Sequence, residues 1–260
     1  MPRRIACHLL TVFVLASFAP VSTGQVDTTA VVAAWNLKGF DPIDDAKVAR
    51  LARALADIDA EVVALVEVNP DEVVDKLILE LSKLGACYQG KILDQAARQN
   101  LAILYKTGIL VSNVQLIEGS DDNNSALRKA LAADVRVGQF DFKFVALHLK
   151  AGRTRSNRQV RTRQTTVLAR YISLATSGAE KDVLVLGDYN MIPEQDAENF
   201  TAMNPAGFLR FVSSEDLRNQ VSHISDPPPV LAACWTDMRF RGNTPASTLR
   251  AACKSFLCQK

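Results

Sequence analysis

The apolar run Leu184-Val185-Leu186 ends in Gly187-Asp188-Tyr189-Asn190, which sets a carboxylate and a carboxamide two residues apart at the end of a strand-like segment. Such a pair offers a group that can hold or pass a proton beside one that both donates and accepts hydrogen bonds. Other apolar runs end in groups that could partner it. Val31–Trp35 stops at Asn36, the run from Val62 reaches Glu67, and Phe142–Leu147 runs into His148. Strand ends of one layered sheet can gather such groups from distant parts of a chain. Taken singly, each has a plain structural reading. Glu67 could end a turn or cap a helix, His148 could be a hydrogen-bonded core residue, and Asp188-x-Asn190 could close an Asx turn.

The elements that must position these residues are readable from periodicity. Residues 31–36 form a short strand. A helix begins near Asp44, with Val48, Leu51, Leu55 and Ile58 at helical spacing. Residues 60–68 form a strand apolar on both faces, hence a central one. Asn69-Pro70 ends it, and Asp71 is placed to cap a second helix carrying Val74, Leu77, Leu81 and Leu84. Strands follow at 101–106, 109–117, 129–137 and 142–150. A long basic helix spans 156–176, and residues 182–190 form a last strand that closes the ordered pattern. Helices alternating with strands, then a run of strands, then β-α-β predict a mixed α/β layered domain.

The order of these segments is similar to the motifs of the endonuclease/exonuclease/phosphatase superfamily. The resembling pieces are Trp35-Asn36, Leu65-Val66-Glu67-Val68, residues 101–106, residues 146–152 and residues 184–190. The resemblance covers about residues 30 to 225 and implies the deoxyribonuclease-I-like fold, a four-layer α-β-β-α sandwich. It implies that Glu67 holds a divalent cation, Mg²⁺ or else Mn²⁺ or Ca²⁺, and that Asn36 orients the site beside it. His148 would donate to a non-bridging phosphate oxygen, where charge builds in the transition state. Asp188 would orient the attacking water or steady a partner histidine, and the Asn190 amide would hold a phosphate oxygen. Tyr105, ending a neighbouring strand, is a candidate wall of the site or else a core residue.

Charge distribution adds a substrate expectation. From Phe142 to Ala179 there are eight Lys or Arg and no acid. Lys150, Arg153, Arg155 and Arg158, with Arg161 and Arg163 behind them, could neutralise the phosphates flanking a cleaved one, a contact independent of sequence. The expected partner is nucleic acid, or another phosphodiester substrate. A phosphatase or lipid phosphodiesterase on the same scaffold is the competing enzyme reading, and a non-catalytic remnant that binds polyanions is the reading from another class.

At 260 residues, 48% hydrophobic and 22% charged, one domain over residues 28–225 suffices. Residues 1–24 have the charged, apolar, small-residue order of a secretory signal peptide, with cleavage expected near Gly24-Gln25. Pro20 makes the apolar run short for a membrane anchor, so a secreted, extracellular or periplasmic chain without a stable span is expected. Removing the segment deletes two Arg and takes the net charge from +2 to zero. Cys87, Cys234, Cys253 and Cys258 remain, at spacings that fit no metal motif and assign no pairing.

The C-terminal part departs from the family's pattern. The Leu/Ile-Asp-x-Tyr strand and the Ser-Asp-His-x-Pro motif, whose histidine is the family's general base, are missing; His223 and Asp226 stand in the wrong order to replace them. Residues 226–260 lack periodicity and are expected to be a poorly ordered tail, leaving the domain without its last strands. Read two bases downstream, the codons of Cys234-Trp235-Thr236 give Leu-Asp, and permitted codon choices continue into the missing Leu-Asp-x-Tyr strand. A frame change near Asp226 is therefore expected, with weakened catalysis, and coding DNA that continues in the shifted frame to Ser-Asp-His-x-Pro would establish it.

Overall fold

Residues 62–66 and Val68 are almost wholly excluded from solvent, because the strand they form is covered on both faces. The computed structural model describes residues 30–38, 43–178, 182–192, 195–207 and 209, and the backbone of 237–238 and 250–251. The element order is β1 (Val31–Asn36), α1 (Asp45–Ile58), β2 (Val62–Val68), α2 (Val73–Lys83), β3 (Tyr88–Ile92), β4 (Asn100–Lys106), β5 (Leu110–Leu116), β6 (Leu131–Val137), β7 (Phe140–His148), α3 (Arg155–Ala175), β8 (Val183–Asp188), α4 (Ala197–Met203), β9 (Asp237–Met238) and β10 (Arg250–Ala251).

Two five-stranded sheets form, in the orders β10-β1-β2-β4-β3 and β5-β6-β7-β8-β9. Their facing sides share one apolar layer that includes Val62, Ala64, Val66, Leu101, Ile103, Leu131, Phe142, Phe144, Leu184 and Leu186. Behind the first sheet, Leu51 and Leu55 of α1 and Leu77 and Leu81 of α2 pack on Val63, Leu65 and Leu104. Behind the second, Leu168 and Ile172 of α3 and Met203 of α4 pack on Val145, Leu147 and Val185. The result is the expected four-layer α-β-β-α sandwich, in which each fully buried leucine contributes roughly 1.5–3 kcal/mol.

Local signals mostly act as expected. Asp44 caps α1, its carboxylate accepting from the amides of Ala46 and Lys47 at 2.9 and 3.1 Å. Asp71 does not cap α2; its carboxylate takes the Asn100 side-chain amide at 2.9 Å, and α2 starts without a side-chain cap. Leu84 lies past the last turn of α2 and is exposed, so the buried stripe ends at Leu81. Two elements carried too little periodicity to be foreseen: β3, an alternating and largely polar strand at the side of its sheet, and α4, which is seven residues long and lies beyond the expected last strand.

The expectation of missing final strands meets a short substitute. β10 pairs with Val31 and Val32 alone, and β9 with Leu184 and Val185 alone, so most of β1 and β8 has no described partner on that side. His223, Asp226 and Cys234, Cys253 and Cys258 lie outside the described residues, as does the expected signal segment. Among the described residues Cys87 is an exposed free thiol. Among the described residues no helix is long and apolar enough to cross a membrane.

Candidate active site

Strand alternation decides which side chains reach the space between the sheets. On β1, Val32 and Ala34 face the inner layer, so Asn36 continues that face at the strand end. Phe142, Phe144 and Ala146 do the same for His148 on β7, and Leu184 and Leu186 for Asp188 on β8. His148 and Asp188 are direct partners in the parallel β7–β8 pair.

Glu67 would break this rule without a local device. Val62, Ala64 and Val66 face inward, so plain alternation would turn Glu67 towards the helices and Val68 inward. A bulge between Val66 and Val68 adds one residue against β4, and Val68 packs on the helix side instead. Glu67 takes φ +59°, a left-handed conformation that costs a residue with a Cβ of order 1–3 kcal/mol. Bulges of this kind re-aim a side chain. Here the re-aimed carboxylate meets the groups from β1, β7 and β8.

The four groups are in contact or close to it. The Asn36 amide nitrogen donates to Glu67 Oε1 at 2.8 Å and to Asp188 Oδ2 at 3.0 Å. His148 Nε2 lies 3.6 Å from Glu67 Oε1 and 3.9 Å from Asp188 Oδ2. Asp188 Oδ1 accepts from the Asn190 backbone amide at 2.9 Å, the Asx turn expected of this spacing, and the Asn190 side-chain nitrogen donates to the Leu149 carbonyl at 3.1 Å. One of the two Asn190 N–H groups is therefore spent on holding the loop after β7. Gly187 is required where it stands: its φ is +130°, and a Cβ there would meet the Leu147 carbonyl oxygen at 2.0 Å. The close approach of β8 to β7 thus depends on a residue without a side chain.

His148 is 5% exposed, and burial first, then the charge of Arg128, lowers its pKa from 6.5 to about 2. The nearby carboxylates do not offset that burial. The imidazole is neutral and has one N–H to donate, and its Nδ1 is buried with no hydrogen-bond partner among the described residues.

Two residues of the site were not foreseen. The Gln99 amide nitrogen donates to Glu67 Oε2 at 2.9 Å, and the Arg128 guanidinium donates to the carbonyl oxygens of His148 at 3.1 Å and Leu149 at 3.4 Å. Burial lowers the Arg128 pKa, against the opposing pull of Glu67 and Asp188. Both residues lie in coil between strands, where a polar side chain carries no local signal of function.

Tyr105 does not belong to this site. β4 runs antiparallel to β2, so Tyr105 pairs with Val62 at the far end and fills the inter-sheet core, whereas Asn100 pairs with Val68 next to Glu67. The basic stretch divides in two. Arg153 and Arg155 are exposed, Lys150 and Arg158 half-buried, and the Arg158 guanidinium donates to the Arg153 carbonyl at 2.6 Å. Arg161 is 1% exposed and cannot meet a polymer. It pairs with Asp196 at 2.6 Å and donates to the carbonyls of Lys150 and Gly152 at 2.9 and 2.7 Å. Arg163 is engaged by both carboxylate oxygens of Asp122, each at 2.7 Å.

The donor set fits a hard divalent cation. One ligand atom each from Glu67, His148 and Asp188 can be chosen within 4.8 Å of one another. Two carboxylates dominate that set, as Mg²⁺, Mn²⁺ and Ca²⁺ prefer. The Asn36 and Gln99 amides occupy one acceptor direction on each bonded oxygen and leave others open.

Solved structures share this architecture at low identity. TDP2 from D. rerio, complexed with single strand DNA product, aligns at 20% identity over 82% of this chain and 84% of that one, with a TM-score of 0.60. Truncated TDP2 from Caenorhabditis elegans aligns at 20% identity with a TM-score of 0.51, and the chain spans 63% of its length. The mannosyl-6-phosphatase Bt3783 from Bacteroides thetaiotaomicron aligns at 15% identity over 71% of this chain and 73% of that one, with a TM-score of 0.54. No curated protein matches the sequence. The profile of the Endonuclease/Exonuclease/phosphatase family matches residues 33–250, 25 residues beyond the expected boundary at 225. The fold is deoxyribonuclease-I-like, and the chain belongs to the Endonuclease/Exonuclease/phosphatase family, whose members are nucleases or phosphatases.

Proposed function

We propose that the chain is an exported, divalent-metal-dependent phosphodiesterase that hydrolyses nucleic acid. The observation that carries this reading is the convergence of Glu67, Asp188 and the neutral His148 around the single amide of Asn36. Glu67 and Asp188 would hold the cation, which when bound supplies positive charge to a phosphoryl oxygen. His148 gives its one N–H to a non-bridging oxygen, where a preorganised donor in a dry site is worth most. Asp188 also accepts from the attacking water and orients it. The second Asn190 N–H holds a phosphate oxygen. Lys150, Arg153, Arg155 and Arg158 contact flanking phosphates and are the support for a polymeric substrate.

The phosphatase reading has its own support in the likeness to a mannosyl-6-phosphatase. Turnover by the 260 residues is expected to be low, because they carry no Ser-Asp-His-x-Pro; loss of a general base slows hydrolysis by roughly 10²- to 10⁴-fold. The test compares single-stranded oligonucleotide, plasmid DNA, inositol phosphates, a sugar phosphate and sphingomyelin as substrates. Each is assayed with Mg²⁺ and with chelator, for this chain, for its Glu67→Ala variant and for a version with the tail frame restored. Oligonucleotide or plasmid cleavage that needs Mg²⁺ and Glu67, and that rises in the restored version, supports the proposal. Turnover unaffected by chelator, or confined to monoesters, overturns it.

A further inference from the structure

Two hydrogen-bonded bridges join the sheets at the site. The first is Asn36, which links Glu67 of one sheet to Asp188 of the other. The second runs through groups of no assigned role. Arg128, just before β6, donates to the His148 and Leu149 carbonyls and reaches Gln99 Oε1 at 3.4 Å; Gln99, just before β4, donates to Glu67 Oε2 at 2.9 Å.

Glu67 needs such a restraint. At a bulge its side chain is not directed by the alternation that aims Asn36, His148 and Asp188. Its two carboxylate oxygens are held by two amides, Oε1 by Asn36 and Oε2 by Gln99. A Gln amide can turn over, but its two neighbours select the same orientation: the Glu67 carboxylate only accepts and takes the Gln99 nitrogen, and Arg128 only donates and takes the amide oxygen. Arg128 is 8% exposed and has no ion pair within 4 Å among the described residues, a costly placement for a charge. Its charge is answered at longer range by Glu67 and Asp188.

We propose that Gln99, oriented by Arg128, is a positioning residue that fixes the Glu67 carboxylate against the His148 end of the opposite sheet. The proposal rests on Glu67 as a cation ligand for its effect on binding, and on the hydrogen bonds alone for its effect on geometry.

Gln99→Met keeps the length of the side chain and removes both its donor and its acceptor; Gln99→Leu is the second variant, and matching urea midpoints confirm that each folds. Mn²⁺ affinity, measured by electron paramagnetic resonance of free Mn²⁺, is expected to fall about 10-fold, as for other partners of metal ligands. An affinity within twofold of the wild type overturns the proposal. Metal-free crystal structures read the geometry directly: in the variants the Glu67 carboxylate is expected to leave the Asn36 amide or to spread over several positions. An unmoved Glu67 overturns the proposal just as firmly. If even the wild type binds no Mn²⁺, the cation reading of the site falls, and the crystallographic comparison alone decides the role of Gln99.

Discussion

Lowering the pH tests whether His148 is neutral in the folded chain. Burial, with the charge of Arg128 second, holds its pKa at about 2 instead of 6.5. The unfolded chain therefore gains a proton on this imidazole below about pH 6.5 while the folded chain does not, so stability falls as the pH drops through that window towards 2. Between about pH 7.5 and about pH 5, the preferential protonation of the unfolded state costs about 2 kcal/mol. Glu67 and Asp188, at 3.6 and 3.9 Å, would attract an imidazolium and oppose the shift, so that figure is a ceiling. Urea unfolding in the presence of chelator, for the wild type and for His148→Asn, reads the effect. Other groups titrate in both proteins and cancel in the difference. The wild type should lose up to about 2 kcal/mol more than the variant on acidification. Equal losses in the two proteins would refute the buried neutral imidazole and, with it, the single N–H assigned to phosphate.

Arg161→Met leaves the Asp196 carboxylate buried without its partner and should cost about 3–5 kcal/mol in urea unfolding, whereas Arg163→Met, which removes an arginine standing largely in solvent, should shift the midpoint far less. Gly187→Ala forces a Cβ against the Leu147 carbonyl and should separate β8 from β7, with loss of soluble protein or a lower melting temperature; a variant with wild-type yield and melting would contradict the close approach. For Arg153→Ala with Arg155→Ala, the slope of log affinity for single-stranded DNA against log salt should shrink by about 0.7 per arginine if both meet phosphates. An unchanged slope would remove them from the substrate path.

Strand alternation made three of the site residues legible, because Asn36, His148 and Asp188 continue the inward face of an apolar strand. Glu67 was legible only through its motif, since parity alone points it at the helices; the bulge that rescues it shows in the backbone and not in the residue types. Tyr105 was misplaced for a reason of direction. The C-terminal ends of β1, β2, β7 and β8 gather at the site, but β4 runs against β2, so its other end lies there. That reversal is also why Gln99, not Tyr105, meets Glu67. The basic run illustrates a second limit. Arg161 shares its helix face with Gln164, Thr165, Leu168 and Ile172, a buried spacing that marks it as structural, while charge counting alone grouped it with the exposed Arg153 and Arg155.

The most direct test of the proposed cation site is an anomalous difference map from crystals soaked in Mn²⁺. A single peak is predicted within about 2.5 Å of carboxylate oxygens of both Glu67 and Asp188, and it should vanish in Glu67→Ala. A peak elsewhere, or none at saturating Mn²⁺, would contradict the assignment of these residues to a metal-dependent phosphoesterase centre.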